Sequence, residues 1–230
     1  MNIFKTNPSE SHVKMLLFGP SGSGKSHSSS RIGDTFGKAL YLNFETKDLS
    51  VAKGVDQVRI NSRAELGECY TELSSGKTEY GTIILDSMTS YMYHQVMPEV
   101  SLEEGKGNKA AEKGEISLRG WGLVGHRMQE SFIKFVSLPM HIIFTALEQR
   151  DKDESTGRIT LLPMFAGKTA ERAPSWVSFV GHTEVNDNYT IRFKRNPNTY
   201  AKAEGGALAE TEPADLAPLF TKILGDSNDD

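Results

Sequence analysis

The stretch GPSGSGKS, residues 19–26, places glycines, a lysine and a hydroxyl at the spacing needed to bind phosphate groups. It matches the pattern G-x-x-x-x-G-K-[ST] through Gly19, Gly24, Lys25 and Ser26. Small residues allow a tight loop whose N–H groups face a phosphate, and the following helix would add its positive N-terminus. Lys25 supplies a charge for the β- and γ-phosphates, and Ser26 offers a hydroxyl to Mg²⁺. The stretch therefore predicts a nucleotide site formed by Gly19, Pro20, Ser21, Gly22, Ser23, Gly24, Lys25, Ser26 and His27.

Two acids follow apolar stretches that are predicted to be strands. Asp86 ends TIILD, and ligand sites of α/β sheets form at such carboxyl ends, so Asp86 is expected to reach Mg²⁺. The alternative is that Asp86 caps the helical stretch SMTSYMYH. Glu45 ends ALYLNFE, which is expected to lie next to the strand that leads into the phosphate loop. There it could orient the water that attacks the γ-phosphate, although a capping or solvent-facing acid is the alternative.

These residues require a scaffold of alternating strands and helices. VKMLLF, ALYLNF, TIILD and HIIFTAL are rich in branched and aromatic residues without clean alternation, as expected of strands buried on both faces of a parallel sheet. The predicted helices are KSHSSSRIGDTF, SRAELGECYTELSS, RGWGLVGHRMQESFIKFV and, near the end, ADLAPLFTKIL. RITLLPMF, SWVSFVGHTEV and YTIRFKR indicate shorter strands of an antiparallel edge. The predicted fold class is α/β, a mainly parallel sheet flanked by helices with an antiparallel C-terminal edge.

The bulk composition predicts a cytoplasmic protein. No apolar stretch is long enough to span a bilayer, and the single cysteine, Cys69, excludes an internal disulfide, which is typical of a reducing compartment. The net charge of −4 argues weakly against nucleic-acid binding. However, the acids are concentrated from Glu204 onward, with seven acids and one base. Residues 189–203 carry four bases and no acid, which indicates either a solvated strand face or part of a surface for a polyanion.

The order of a phosphate loop, a strand ending in Glu, a strand ending in Asp and a later strand ending in a polar residue resembles the RecA-like ATPase core. LYLNFET, IILDSMTSY, RGWG and HIIFTALEQ carry the resemblance, which spans about residues 13–200 and is greatest to compact phage ATPases that assist single-strand annealing. It implies ATP and Mg²⁺ as cofactors and hydrolysis stimulated by single-stranded DNA, in support of recombination or annealing in the host cytoplasm. It also implies a homo-oligomer, ring or filament, and a single-strand DNA-binding protein as a further partner.

The resemblance also implies roles for single residues. HIIFTAL would end in a polar sensor of the γ-phosphate, either Glu148 or Gln149, and Gln149 is favoured because an ionised Glu would repel a phosphate. Two predicted loops, 97–118 and 150–175, occupy the positions of the family's DNA-contacting loops. The candidates for DNA contacts or for action on a neighbouring subunit's nucleotide are Arg119, Trp121, Arg150, Lys152, Arg158, Lys168, Arg172, Arg195 and Lys202. Core packing is the alternative for Trp121, and Glu204 replaces the arginine of the family's Lys-x-Arg pair.

The predicted organisation has three parts. Residues 1–12 form an N-terminal arm whose Ile3 and Phe4 either dock on a neighbouring subunit or fold onto their own core. Residues 13–204 form the RecA-like ATPase domain, and residues 205–230 an acidic C-terminal helix with a disordered tail. Two other function classes stay open: a P-loop NTPase switch in phage assembly, packaging or regulation, and a small-molecule kinase. The mixed charge of QRDKDESTGR disfavours the kinase, because kinases carry an arginine-rich lid.

Overall fold

A nine-stranded sheet forms the centre of the protein in the computed structural model, which describes residues 12–46, 55–105 and 116–225. The strand order is β3-β2-β4-β5-β1-β7-β8-β9, and β6 pairs with β5 outside this path. The strands are β1 Lys14–Gly19, β2 Lys38–Asn43, β3 Asp56–Arg59, β4 Tyr80–Asp86, β5 His141–Lys152, β6 Ile159–Pro163, β7 Phe179–Val185, β8 Tyr189–Arg192 and β9 Thr211–Pro213.

The six strands from β3 to β7 along this order are parallel to one another. The pairs β5–β6, β7–β8 and β8–β9 are antiparallel. The predicted α/β fold class, a mainly parallel sheet flanked by helices with an antiparallel C-terminal edge, is therefore confirmed. In one detail the expectation was wrong: β7, from SWVSFVGHTEV, runs parallel to β1, so the antiparallel edge begins only at β8.

The predicted position of the strand that leads to Glu45 was also wrong. This strand, β2, is separated from β1 by β4 and β5, and the neighbours of β1 are β5 and β7. The apolar pattern of a strand shows that it is buried but does not encode which strand lies beside it. The actual order places β2 next to β4, with Asn43 aligned with Asp86, so Glu45 emerges beside the Asp86 strand.

Helices cover both faces of the sheet and bury two apolar layers. They are α1 Lys25–Ser30, α2 Arg63–Ser74, α3 Met88–Tyr91, α4 Met97–Gly105, α5 Leu118–Val136, α6 Thr169–Arg172 and α7 Leu216–Gly225. A π-helical turn, Met92–Val96, joins α3 to α4, and a 3₁₀ turn, Ala173–Trp176, follows α6. The helix predicted over residues 25–36 is only six residues long, and Gly33 beyond it has φ of +50°, which a continuing helix does not allow.

Both of the long predicted loops contain regular structure in the part of the chain that the structure describes. Within 97–118 the structure has α4 and the start of α5, while residues 106–115 lie outside the described chain. Residues 150–175 contain the end of β5, which forms a hairpin with β6, followed by α6. The charged residues of these stretches that the structure describes include Glu103 on α4 and Arg150, Asp151 and Lys152 on the β5–β6 hairpin, all exposed, where charge does not oppose regular structure.

The sheet and core extend past the predicted boundary at residue 204. Strand β9 pairs with β8, and Leu216, Leu219 and Phe220 of α7 are buried against Met15 and Leu17 of β1. Residues 205–225 are thus packed into the same core as the phosphate-loop strand. The predicted arm with Ile3 and Phe4, and the tail from residue 226, lie outside the described residues. No helix within the described ranges is long and apolar enough to cross a membrane.

His141, the first residue of β5, should make the protein acid-sensitive. Its Nδ1 accepts a hydrogen bond from the Val13 N–H at 3.0 Å, and burial, with His12 and Lys14 nearby, lowers its pKa to about 4. Between pH 6.5 and about 4 the unfolded chain therefore binds more protons than the folded one. The free energy of unfolding should fall by about 3 kcal/mol as the pH drops through this window.

Urea unfolding at pH 7 and pH 4.5 measures this loss. His141→Gln keeps a hydrogen-bond acceptor and removes the titration, so its stability should depend less on pH than that of the wild type. His126→Gln, at an exposed position on α5, is the matched control and should behave as the wild type. Equal pH dependence in His141→Gln and the wild type would contradict the role of His141.

Candidate functional site

The phosphate loop is held by contacts with β7. Ser23 Oγ lies 2.6 Å from Thr183 Oγ1 and donates to the Pro20 carbonyl at 2.8 Å. A Cβ at Gly19 would lie 2.1 Å from Thr183 Oγ1, so only glycine fits where β1 enters the loop. Gly24 has φ of +84°, the left-handed region in which glycine is favoured. Because α1 is so short, we attribute the anion-binding capacity to the loop's own N–H groups rather than to a helix dipole.

Lys25 is buried across this loop. Its Nζ donates to the carbonyl oxygens of Gly19 at 2.9 Å and Pro20 at 2.8 Å. Burial lowers the pKa of Lys25 to about 8, and Asp86, Glu148 and Glu45, in decreasing order of effect, act in the opposite direction. A polyphosphate would favour the charged amine further, since opposite charge stabilises the ionised form of a buried group. The loop thus holds an amine whose charged form a bound polyphosphate would stabilise.

Asp86 is buried at the end of β4 and accepts hydrogen bonds at both carboxylate oxygens. Ser26 donates to Oδ2 at 2.5 Å, Tyr41 donates to the same oxygen, and Thr145 donates to Oδ1. The predicted alternative for Asp86 was wrong: the cap of α3 is Ser87, whose Oγ accepts from the Ser90 N–H. Tyr41 and Thr145 were missed by the sequence analysis. Each could have been noticed in the sequence as a hydroxyl-bearing residue within an otherwise apolar predicted strand.

Glu45 follows β2 and lies in the same cleft as Lys25 and Asp86. The Glu45 N–H donates to Asn43 Oδ1 at 2.7 Å. The N–H of the preceding residue, Phe44, donates to the Asp86 carbonyl at 2.8 Å. These bonds hold the chain after β2 against the end of β4. Glu45 is half-buried, so water can reach its carboxylate.

The cleft has a volume of about 1130 Å³ and extends in two directions from the phosphate loop. One side is lined by Glu45, Asp86 and Leu147, and the other by Arg31, Tyr189 and Asp215. The Tyr189 ring lies over Gly24, where an added Cβ would be 2.9 Å away, and Arg31 pairs with Asp215 at 3.2 Å. A cavity of this size has room for a nucleoside as well as its phosphates. The aromatic side of the cleft was not predicted from the sequence.

The oxygens at the site suit a magnesium ion that arrives with a nucleotide. The Ser26 hydroxyl and the Asp86 carboxylate are hard oxygen donors 2.5 Å apart. No group of three or more His, Cys, Asp or Glu side chains that could hold a metal occurs among the described residues. Mg²⁺ commonly uses one or two protein oxygens together with substrate phosphates and water, so the residues fit it. When bound, Mg²⁺ would neutralise charge on the β- and γ-phosphates.

The two sensor candidates at the end of β5 differ in their surroundings. Glu148 Oε2 lies 2.8 Å from His182 Nε2, and His182 is a further residue that the sequence analysis missed. Gln149 aligns with Leu162 of β6 and does not line the cleft. The structure thus brings Lys25, Ser26, Asp86 and Glu45 together, while a sensing role for Gln149 stays a prediction.

The predicted DNA-contacting and trans-acting cations do not form one cluster. Arg119 is exposed at the start of α5, and Arg150 and Lys152 are exposed at the end of β5. Three others contact neighbouring residues: Arg158 donates to the Pro197 carbonyl at 2.7 Å, the Arg195 guanidinium lies 4.8 Å from the Tyr200 ring centre, and Lys202 pairs with Glu204 at 3.4 Å.

Lys168 and Arg172 lie together in a groove of about 500 Å³ between α5 and α6. Trp121, Trp176 and His126 line the same groove, and none of its lining residues among the described chain is acidic. Trp121 is 40% exposed, so the core-packing alternative for it was wrong. The groove combines aromatic surface with positive charge, the two features by which proteins bind single-stranded nucleic acid.

Comparisons with known proteins identify a family and, among solved structures, a distant likeness of fold. No curated protein sequence matches the chain. Among solved structures, a KaiC-like protein from the hyperthermophilic archaeon Pyrococcus horikoshii OT3 is similar, with 11% sequence identity, a TM-score of 0.41, and coverage of 78% of this chain and 77% of that one. This similarity is too low to transfer a function. A family model described as an AAA domain matches residues 11–204, and the chain therefore belongs to this family of proteins with a P-loop ATPase fold.

Proposed function

We propose that the protein hydrolyses ATP with the help of Mg²⁺. The observation that carries the proposal is the convergence of four groups on one cleft: the Lys25 amine, the Ser26 hydroxyl and the carboxylates of Asp86 and Glu45. In phosphoryl transfer the protein mainly positions the reactants and stabilises charge, and these four groups suit that task. The aromatic side of the cleft, with Tyr189, supports a nucleotide rather than a free polyphosphate as the ligand.

Each group has a distinct role in this proposal. The loop N–H groups and Lys25 hold the β- and γ-phosphates and stabilise the charge that develops on the transferred group. Ser26 and Asp86 would hold the metal, and Tyr41 and Thr145 fix the orientation of the Asp86 carboxylate. Glu45 would accept the proton of the attacking water, which it can do because its carboxylate is half-exposed at the edge of the cleft.

Phosphate release from ATP, measured with Mg²⁺ and with excess EDTA, tests the proposal. We expect turnover with the metal and none with the chelator. Transfer of the γ-phosphate to a screen of small-molecule acceptors, with no release of phosphate to water, would indicate a kinase instead. Tight ATP binding without any turnover would indicate a nucleotide-dependent switch.

We further propose that ATP binding controls the binding of single-stranded DNA in the groove between α5 and α6. Trp121 and Trp176 offer stacking surfaces for bases, and Lys168 and Arg172 offer charges for phosphates. Recombination or strand annealing by a phage protein, with a single-strand DNA-binding protein as partner, is the proposed setting. It is supported by the sequence resemblance and by the composition of this groove.

Neutralising Lys168 and Arg172 together should weaken DNA binding in the presence of ATP. Two lost phosphate contacts should also flatten the dependence of log K on log[salt] by about 1.4 units, at 0.7 per contact on a single strand. Fluorescence anisotropy with a labelled oligonucleotide over a salt series measures both effects. The matched control is Lys77→Ala combined with Lys134→Ala, which removes two exposed charges elsewhere. If both double variants bind alike, the groove is not the DNA site.

The proposed assembly is a homo-oligomer, a ring or a filament, in which a neighbour supplies a cation to the γ-phosphate. Of the two Lys or Arg side chains that line the cleft in the described chain, Arg31 already pairs with Asp215. Lys25 is then the one left for the terminal phosphates. Because charge on the transferred phosphoryl group commonly needs an additional arginine or lysine, the composition of the cleft supports a contribution from outside the subunit.

A further inference from the structure

His182, on β7, is a buried imidazole between two carboxylates. Its Nε2 lies 2.8 Å from Glu148 Oε2, its Nδ1 lies 3.2 Å from Glu184 Oε1, and its side chain is 5% exposed. A neutral imidazole carries one N–H and would place a lone pair against one of these carboxylates. An imidazolium would donate a hydrogen bond to each of the two carboxylates.

The contact between His182 and Glu148 lies beneath the phosphate loop. Strands β5 and β7 flank β1, and Phe18 is aligned with Ala146 on one side and His182 on the other. His182 and Glu148 therefore lie on either side of the end of β1, where the phosphate loop begins. Thr183, the residue after His182, contacts Ser23 of the loop. The Glu148 carboxylate also acts on Lys25, and it raises the pKa of that amine more strongly than Glu45 does.

The two carboxylates beside His182 differ in the cations that contact them. Glu184 has a cation of its own, since Arg192 Nε lies 2.8 Å from its Oε1, and Arg192 also binds Glu210 at 2.7 Å. Glu148 is contacted by His182. Without the imidazolium, a negative carboxylate would remain close to the cation that serves the β- and γ-phosphates, where it would repel a polyanion.

We propose that His182, as an imidazolium, is a positioning residue that neutralises Glu148 and so allows the cleft to accept a nucleoside triphosphate. The inference deepens the proposed ATP-binding function and rests on it. ATP carries more negative charge than ADP, and the additional charge lies on the γ-phosphate, which Lys25 would bind in the proposed function. Loss of the His182 charge should therefore weaken ATP binding more than ADP binding. It also follows that an ionised Glu148 can lie beside a γ-phosphate without expelling it.

The test measures the Kd of ATP and of ADP, each with Mg²⁺, by calorimetry for four proteins. They are the wild type, His182→Gln, Glu148→Gln and the double variant. We expect His182→Gln to lose about tenfold or more in ATP affinity and clearly less in ADP affinity. Glu148→Gln should bind ATP at least as well as the wild type, and the double variant should recover most of the loss because the uncompensated charge is gone. His94→Gln, at an exposed histidine, is the matched control.

Equal losses for ATP and ADP in His182→Gln, or a double variant no better than His182→Gln, would mean that His182 only supports the fold. If His182→Gln does not fold, Glu148→Gln decides: a tenfold loss of ATP affinity in that variant overturns the proposal, and unchanged or tighter binding supports it. A wild type that binds neither nucleotide would instead refute the ATP-binding function itself. The binding of the wild type therefore separates the two failures.

Discussion

Lys25→Ala should reduce ATP turnover by at least about 10³-fold, to below detection in a standard phosphate-release assay. In the proposed function Lys25 is the cation that binds the β- and γ-phosphates, and its amine donates hydrogen bonds to the carbonyl oxygens of Gly19 and Pro20. In the variant, the charge that develops on the transferred phosphoryl group has no side-chain cation within the loop. Nucleotide binding should also weaken, because the same amine contributes to ground-state binding.

The variant is expected to fold, since alanine replaces a buried amine without leaving an unpaired charge behind. Circular dichroism and thermal unfolding check this. Lys77→Ala, at an exposed lysine after α2, is the matched control and should retain normal turnover. A folded Lys25→Ala protein that hydrolyses ATP at the wild-type rate would exclude this cleft as the site of hydrolysis.

Glu45→Gln should slow ATP hydrolysis by about 10²-fold or more while leaving ATP affinity within a few-fold of the wild type. The amide has nearly the shape of the carboxylate but cannot accept the proton of the attacking water. Binding should persist because the loop, Lys25 and Asp86 are untouched. Single-turnover phosphate release and equilibrium ATP binding, measured on the same preparation, separate the two effects.

Glu68→Gln, at an exposed position on α2, is the matched control for the loss of a carboxylate. If Glu45→Gln loses ATP binding together with hydrolysis, Glu45 shapes the cleft rather than activating water. If turnover is unchanged, the base is a different carboxylate.

Much of the candidate phosphate-binding part of the site could be predicted from short stretches of consecutive residues. The loop from Gly19 to Ser26 requires small residues, a lysine and a hydroxyl at set offsets, so the local sequence alone identifies it. The strands β1, β2, β4 and β5 were likewise predicted, since strands buried on both faces need continuous apolar stretches. The acids at the ends of β2 and β4 followed from the same reasoning, because ligands bind at the carboxyl ends of such strands.

What the tertiary structure decided is which of these parts lie side by side. The insertion of β5 between β1 and β4 brings the Thr145 hydroxyl to Asp86, and the placement of β7 beside β1 brings His182 and Thr183 under the phosphate loop. Packing of residues 205–225 onto the core adds the Asp215 side of the cleft. Hydrophobic periodicity shows that a strand or helix is buried. The pattern is nearly the same whichever other strand or helix packs beside that element, so it does not identify the neighbour. Strand order and long-range polar contacts depend instead on how all the buried surfaces fit together, which no local stretch of sequence contains.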